Sequence, residues 1–324
     1  MDYPEKTISV VLITYKEFSY VFETLDSIFM QDYPAIEIVL ADDGSPAFPE
    51  EELREYIESH KKENIVGYVF AHSDENIGTV KNINKGIRLA SGSFIKIIAG
   101  DDAYYDEHVF SAQMACFDAD PSLMIVTGRT CECDPEMNPI YKEQVENTNK
   151  ALPTIFSMEP KAYFDRCRKE HLFPLVTQAL LVRKEFFEQY GYYDERYRLL
   201  EDPPMEKRII INRVPVCAAD CTVVKHRASV GVSANEQFFA KKQSQHFLDL
   251  VNYTKDILLT HPEYFPPFRT KQRYKVELFR YQMSVASGKK EKLLLSLKNV
   301  GTAFWFVIFN PSRAGEKIRR LFKR

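Results

Sequence analysis

Ser93-Phe94-Ile95-Lys96-Ile97-Ile98-Ala99-Gly100-Asp101-Asp102 is a run of strand character that stops at a glycine and two adjacent carboxylates. It reads as a buried strand ending in a charged turn. In open α/β sheets, ligands gather at the carboxyl ends of the strands, so acids placed there face a crevice. Two neighbouring carboxylates repel each other unless a cation joins them. A hard divalent ion, Mg²⁺ or Mn²⁺, held together with a substrate phosphate is the usual solution. Alone, Asp101-Asp102 reads equally well as a solvated turn, so the flanking pattern has to decide.

Upstream, the β-branched run Thr7 to Ile13 ends at Thr14-Tyr15-Lys16-Glu17, and Tyr20 to Met30 repeats apolar residues at helical spacing. Gln31-Asp32-Tyr33-Pro34 breaks that helix. A second strand, Ile36 to Ala41, ends at Asp42-Asp43-Gly44-Ser45, a second acidic terminus. Pro49 to His60 is a charged helix and Val66 to Ala71 a third strand. Asn76-Ile77-Gly78 opens a helix through Leu89, and Ala90-Ser91-Gly92 closes it. Such alternation implies parallel strands joined by right-handed crossovers, with their carboxyl ends on one edge. Thr14-Tyr15, Asp42-Asp43 and Asp101-Asp102 are therefore expected in one crevice. No G-x-G-x-x-G follows the first strand and no G-x-x-x-x-G-K-[ST] occurs, which argues against a dinucleotide dehydrogenase or a P-loop enzyme. A carboxylate and an aromatic ring can instead hold a base and ribose while a metal on the aspartates takes a diphosphate.

The 324 residues, 45% hydrophobic and 27% charged, suit a soluble globular protein with one large domain and an appendage. Met1 to Lys6 is polar, so no signal peptide is read, and the six cysteines are expected as reduced thiols in a cytoplasmic protein. Cys131-x-Cys133 and Cys217-x-x-x-Cys221 lack zinc-ligand spacing and a clear His partner. Leu172 to Val182 and the short helical Arg183 to Gln189 are read as the acceptor side of the crevice. Thr130 to Pro160, with little periodicity, reads as a long mobile loop that closes over the donor.

After Ser233 the character changes, which divides the chain into a catalytic domain, 1–235, and a helical region, 236–324. Glu236 to Leu259 and Arg273 to Ala286 read as helices on either side of a proline-rich turn. The aromatic run Ala303 to Phe309 precedes Pro311 to Arg324, where six bases against one acid leave −8 on the rest of a chain of net charge −3. Seven apolar residues fall far short of the roughly 20 that span a bilayer. Aromatic residues beside clustered bases match an in-plane anchor on anionic lipid, so residues 302–324 are read as a peripheral membrane contact at the inner face of the cell membrane. No nucleic-acid partner is expected.

Val10-Val11-Leu12-Ile13-Thr14-Tyr15, Asp42-Asp43-Gly44-Ser45, Asn76-x-Gly78, Asn84-x-Gly86, Ala90-x-Gly92 and Gly100-Asp101-Asp102, followed by Gly191-Tyr192-Tyr193-Asp194-Glu195 and Glu201-Asp202, resemble in order and spacing the family 2 glycosyltransferases. Each motif is weak alone, and the ordered set is specific. The resemblance covers about residues 5 to 235. It implies an α/β GT-A fold, with a Rossmann-like, mostly parallel sheet flanked by helices, and an inverting transfer from a nucleotide-diphosphate sugar, UDP before GDP or dTDP, to a glycan or lipid-linked acceptor in surface polysaccharide biosynthesis. It further implies donor contacts at Thr14, Tyr15, Glu17, Asp42 and Asp101, a metal (Mn²⁺ or Mg²⁺) at Asp102 and His226, and Asp202 as the base. The sequence departs from the family pattern at four places. Lys16 stands where Asn is frequent, Ile83 where an Arg often precedes Asn84, and Ala99 where a leading Asp is frequent; Pro203-Pro204 follows the Glu-Asp pair where most members continue into a helix. Lys81 is the candidate to replace the missing arginine at the diphosphate. Without the upstream set, Glu201-Asp202 reads as a helix N-terminus and His226 as a surface or capping residue.

Two other classes compete. A sugar-phosphate nucleotidyltransferase would carry a glycine-rich, Arg-containing loop after the first strand, and Ile13-Thr14-Tyr15-Lys16-Glu17 has none. A non-catalytic nucleotide- or carbohydrate-binding module would bind donor without turnover. Deleting residues 302–324 is expected to leave donor hydrolysis intact and to abolish sedimentation with anionic vesicles, in a salt-sensitive manner. A tail docked on the protein would instead lower the melting temperature on deletion, with negligible vesicle binding before and after.

Overall fold

The aliphatic runs form strands buried on both faces, as a parallel sheet covered by helices requires. In the computed structural model, which describes residues 3–228, 236–299 and 301, β1 (Ile8–Thr14), β2 (Ile36–Asp42), β3 (Ile65–His72) and β4 (Phe94–Ala99) are all parallel. Their register aligns Thr14 with Asp42, Asp42 with His72, and Ile13 with Ala99. The crossovers are α1 (Val21–Phe29), α2 (Glu50–His60) and α3 (Thr79–Leu89). Val10, Leu12, Ile38 and Leu40 pack with Leu25 and Ile28 of α1 and with Leu53 and Ile57 of α2. On the opposite face Gly86 lets α3 approach Val11 so closely that any side chain there would overlap it.

The second half consists of β5 (Ala103–Tyr104), α4 (Val109–Ala119), β6 (Ile125–Cys133), α5 (Glu143–Ile155), α6 (Pro160–Glu170), a 3-10 turn at Thr177–Ala179, β7 (Leu181–Arg183), α7 (Lys184–Tyr190), α8 (Asp202–Ile211) and β8 (Val216–Arg227). The sheet has eight strands in the order β3-β2-β1-β4-β7-β6-β8-β5. β7 runs antiparallel to β4 and β6, and β8 runs parallel to β6. β5 pairs antiparallel with β8, Ala103 opposite Lys225, which brings the end of β8 beside Asp101-Asp102. The fold is GT-A.

Thr130 to Pro160 is not a long loop. Residues 130–133 continue β6 and 143–155 form α5, which buries Thr148, Ala151, Leu152 and Ile155 on one face. Asn149 fastens α5 to the strand, donating to the Thr130 carbonyl at 2.8 Å and accepting from its N–H at 3.1 Å. Pro153 lies in the final turn of α5.

Lys96 sits in β4, fully buried. Its amine donates to Gln113 Oε1 at 2.7 Å and to the Leu180 carbonyl at 3.4 Å, over the rings of Tyr104 and Phe110. Gln113 in turn donates to the carbonyls of Val126 and Ala179. This pair joins β4, α4, β6 and the segment entering β7.

The chain divides into two compact units, Met1–Asn235 and Glu236–Arg324. The second contains α9 (Glu236–Thr260), α10 (Pro267–Val285) and α11 (Lys289–Lys298), with the Arg280 guanidinium 4.3 Å over the Phe247 ring. α11 exposes Leu293, Leu294 and Leu297. Among the described residues no helix is long and apolar enough to cross a membrane. The aromatic run and basic tail lie outside the described residues.

Burial pushes the Lys96 amine down to about 7. The folded state therefore resists protonating it, and its contribution to stability grows as pH rises from the folded toward the unfolded value. Relative to Lys96→Met, wild-type stability in denaturant titrations is expected to rise between about pH 7 and about pH 9, by about 1 kcal/mol per pH unit.

Candidate active site

The carboxyl ends of β1, β2 and β4 meet as the sequence predicts, and each acid there is held by donors from distant segments. Asp42 is fully buried; its Oδ1 accepts from Thr14 Oγ1 (3.0 Å) and Ser45 Oγ (2.6 Å), and its Oδ2 from the Ser45 N–H and His72 Nδ1, both at 2.8 Å. Asp43 accepts from Asn76 Nδ2 and from the N–H groups of Ile77 and Gly78, so it fixes the start of α3 to β2. Burial raises its pKa against those bonds. Gly44, at φ 73°, passes under the Glu75 carbonyl, where a Cβ would collide. The chain after β1 turns through Lys16 at φ 63°, a conformation Asn tolerates better than Lys, and the Lys16 N–H is held by Ser45 Oγ at 2.7 Å. Tyr15 and Glu17 flank it, half-buried.

Lys81 is exposed on α3, and Ile83 is buried in the core. The lysine that reaches this edge is Lys85, which donates to the Asp42 carbonyl (3.0 Å) and Ser73 Oγ (2.5 Å). Asn84 exchanges hydrogen bonds with the Tyr193 backbone and donates to Glu195 at 2.9 Å, joining two motifs far apart in sequence.

Asp102 is 2% exposed, which overturns the reading of a solvated turn. Its Oδ1 accepts from the Arg227 N–H at 2.9 Å and its Oδ2 from Gln178 Nε2 at 2.6 Å. Burial pushes this carboxyl up to about 7, opposed by the charge of His226. His226 lies 3.3 Å from Glu132 and is pushed up to about 9, first by that bond and then, against its own burial, by Asp102, Glu132 and Asp101. Arg227 is buried and donates to the carbonyls of Asp101 and Pro135 and to Glu23, with its guanidinium 4.3 Å over the Tyr20 ring.

Asp202 opens α8, and Pro203-Pro204 occupy the first turn, where a missing N–H costs nothing. The prolines thus begin the helix and do not interrupt it. Asp202 Oδ1 accepts both the N–H (2.9 Å) and the hydroxyl (2.5 Å) of Thr177, and no hydrogen bond among the described residues falls on Oδ2. Burial raises its pKa against these two bonds. One turn on, Glu206 accepts from Tyr163 OH at 2.6 Å and is pushed up to about 7 by burial. The sequence did not single out Thr177, Gln178, Glu132, Arg227 or Glu206. Thr177-Gln178 left one trace, a polar pair inside the apolar stretch Leu172 to Val182.

The profile of the family described as Glycosyl transferase family 2 matches residues 9–191, more than half of the chain. The chain belongs to this family. This family 2 glycosyltransferase is 30% identical over 121 residues to a poly-beta-1,6-N-acetyl-D-glucosamine synthase of Staphylococcus epidermidis; the match covers 37% of the chain and 28% of the synthase. Among solved structures it is similar to S. aureus TarS 1-349 in complex with UDP-GlcNAc, at TM-score 0.57 and 16% identity over 91% of this chain and 78% of that one. It is also similar to the mannosyltransferase PcManGT from Pyrobaculum calidifontis in complex with GDP-Man and Mn²⁺, at TM-score 0.56 and 15% identity over 98% and 85%. At these identities the likeness concerns the fold.

Among the described residues, no group of three or more His, Cys, Asp or Glu is arranged to hold a metal. The glycosyltransferase brings Asp102 and His226 close enough for the charge of each to shift the other's pKa, and an ion held there would have to displace the Gln178 bond to Asp102 and the proton of His226, taking its remaining ligands from substrate phosphate and water. Replacing Arg227 by Met would remove its bonds to the carbonyls of Asp101 and Pro135 and its ion pair with Glu23, which together tie the end of β8 to the turn after β4 and to α1. That variant is expected to lose about 2–4 kcal/mol in denaturant unfolding.

Proposed function

We propose that this glycosyltransferase is an inverting, metal-dependent enzyme that moves a sugar from a UDP-sugar to a hydroxyl of a glycan or lipid-linked acceptor in surface polysaccharide assembly, from the cytoplasmic side of the membrane. The observation that carries the reading is Asp202. One oxygen is fixed twice by Thr177 while the other is left open, and the turn holding it also holds Asp102. The UDP-GlcNAc complex of TarS and the N-acetylglucosamine polymer named for the synthase support the donor class.

In this reading, the proton of the acceptor hydroxyl passes to Asp202 Oδ2 as the acceptor oxygen bonds the anomeric carbon. The bond to the diphosphate oxygen breaks, with its electron pair leaving on the diphosphate. Asp102 and His226 would hold the ion, which, when bound, neutralises that developing charge. Tyr15, Glu17 and the Thr14–Asp42 pair line the nucleoside end, and Asp101 the ribose. Lys85 is better placed than Lys81 to bring positive charge to this edge. Residues 1–235 act as the catalytic domain, and residues 302–324 as the peripheral membrane contact.

Asp202→Asn keeps the shape but cannot take the proton, so turnover is expected to fall at least about 10²-fold with donor affinity almost unchanged. Asp102→Asn is expected to abolish the Mn²⁺ dependence of UDP binding in calorimetry. Turnover of Asp202→Asn within a few-fold of wild type, or unaltered Mn²⁺ dependence in Asp102→Asn, would refute the corresponding role. Thermal-shift measurements across UDP-, GDP- and dTDP-sugars identify the donor.

A further inference from the structure

The carboxylates on opposite sides of the reaction are gripped by consecutive residues of one short turn. Thr177 donates twice to Asp202 Oδ1, and Gln178 donates to Asp102 Oδ2 at 2.6 Å. Adjacent Cα atoms are about 3.8 Å apart across a trans peptide, so a single peptide unit relates the two grips. The turn is pinned from behind: the Ala179 carbonyl accepts from Gln113 and the Leu180 carbonyl from Lys96. Thr177 and Ala179 are buried, and the Thr177 hydroxyl also meets Tyr193 OH at 3.2 Å. Reacting groups must be held to within fractions of an ångström, and each acid here lies on a different element, Asp202 on α8 and Asp102 after β4.

We propose that Thr177 and Gln178 are positioning residues that set the separation of the base from the metal-side carboxylate. Thr177 acts by occupying Oδ1 so that only Oδ2 faces the acceptor. Gln178 acts by holding Asp102 Oδ2 in place until cation and diphosphate arrive. The proposal rests on the roles given above to Asp202 and Asp102.

The test separates the two grips. Thr177→Val keeps the backbone N–H and the side-chain shape but removes the hydroxyl. UDP release from UDP-N-acetylglucosamine with Mn²⁺ is expected to fall about tenfold in kcat, the effect of losing a hydrogen bond to a charged group. The hydroxyl lowers the Asp202 pKa, so its loss moves the acid limb of the kcat profile to higher pH; of the other titratable groups facing Asp202, Glu206 is untouched, and Tyr193 loses its contact with the hydroxyl but, raised by burial above the usual phenol range, stays protonated across the profile. The Asp202 carboxyl carbon, followed by ¹³C NMR, shifts in the same direction without any turnover. Mn²⁺ affinity in the presence of UDP, measured by calorimetry, stays at the wild-type value. Gln178→Leu gives the converse, a change in Mn²⁺ affinity of at least about threefold with an unmoved Asp202 titration. Thr177→Ser restores the wild-type profile. Wild-type Asp202 titration in Thr177→Val, or both readouts moving together in each variant, overturns the proposal. Asp202→Asn in the same assay tells which reading has failed. If it is active, the base assignment falls and takes the proposal with it; if it is inactive beside a fully active Thr177→Val, the proposal alone falls.

Discussion

A carboxylate taken out of water must be met by donors or lose its charge, and that constraint organises the catalytic unit. Asp42, Asp43 and Asp102 are buried at one edge of the sheet, and Asp202 is raised by burial beside them. None is satisfied by its own element alone. Asp42 is met from β1, the loop after β2, and β3; Asp43 from the entry to α3; Asp102 from β8 and the 3-10 turn; and Asp202 from that same turn. Desolvation thus binds residues more than a hundred positions apart, and what makes the edge able to handle charge also makes it rigid.

The first hundred residues were legible because their physics is local. A fully buried parallel strand has no choice but an unbroken aliphatic run, and β1, β2 and β4 fall within a residue or two of where those runs end. The convergence of Thr14, Asp42 and Asp102 follows from parallel topology alone. The second half was harder to read. β7 has only three residues, and its antiparallel pairing with β4 depends on neighbours far along the chain. α5 escaped notice because Pro153 and a polar composition mask a one-sided burial at Thr148, Ala151, Leu152 and Ile155.

Within the site, sequence identified the acids and missed their holders. Asp, at the end of a strand or the start of a helix, announces itself by type and position. Thr177, Gln178 and Arg227 do their work through a backbone N–H, a side-chain amide or a guanidinium aimed at a carbonyl, and the topology that aims them is absent from any local window. The same holds for lysine. Lys81 and Lys85 are one turn apart on α3, and only the packing of that helix against β2 shows which of them faces Asp42.

The buried pair behind the turn has a consequence for how this sequence can drift. Lys96 without Gln113 would be an amine in the core with only a distant carbonyl for company, and Gln113 without Lys96 would leave its own amide oxygen stranded. Each single replacement strands the surviving partner, a cost that the double replacement does not carry. Positions 96 and 113 are therefore expected to change together or not at all across descendants of this chain, and a lineage that has traded both for apolar residues must have found another way to hold the carbonyls of Ala179 and Val126.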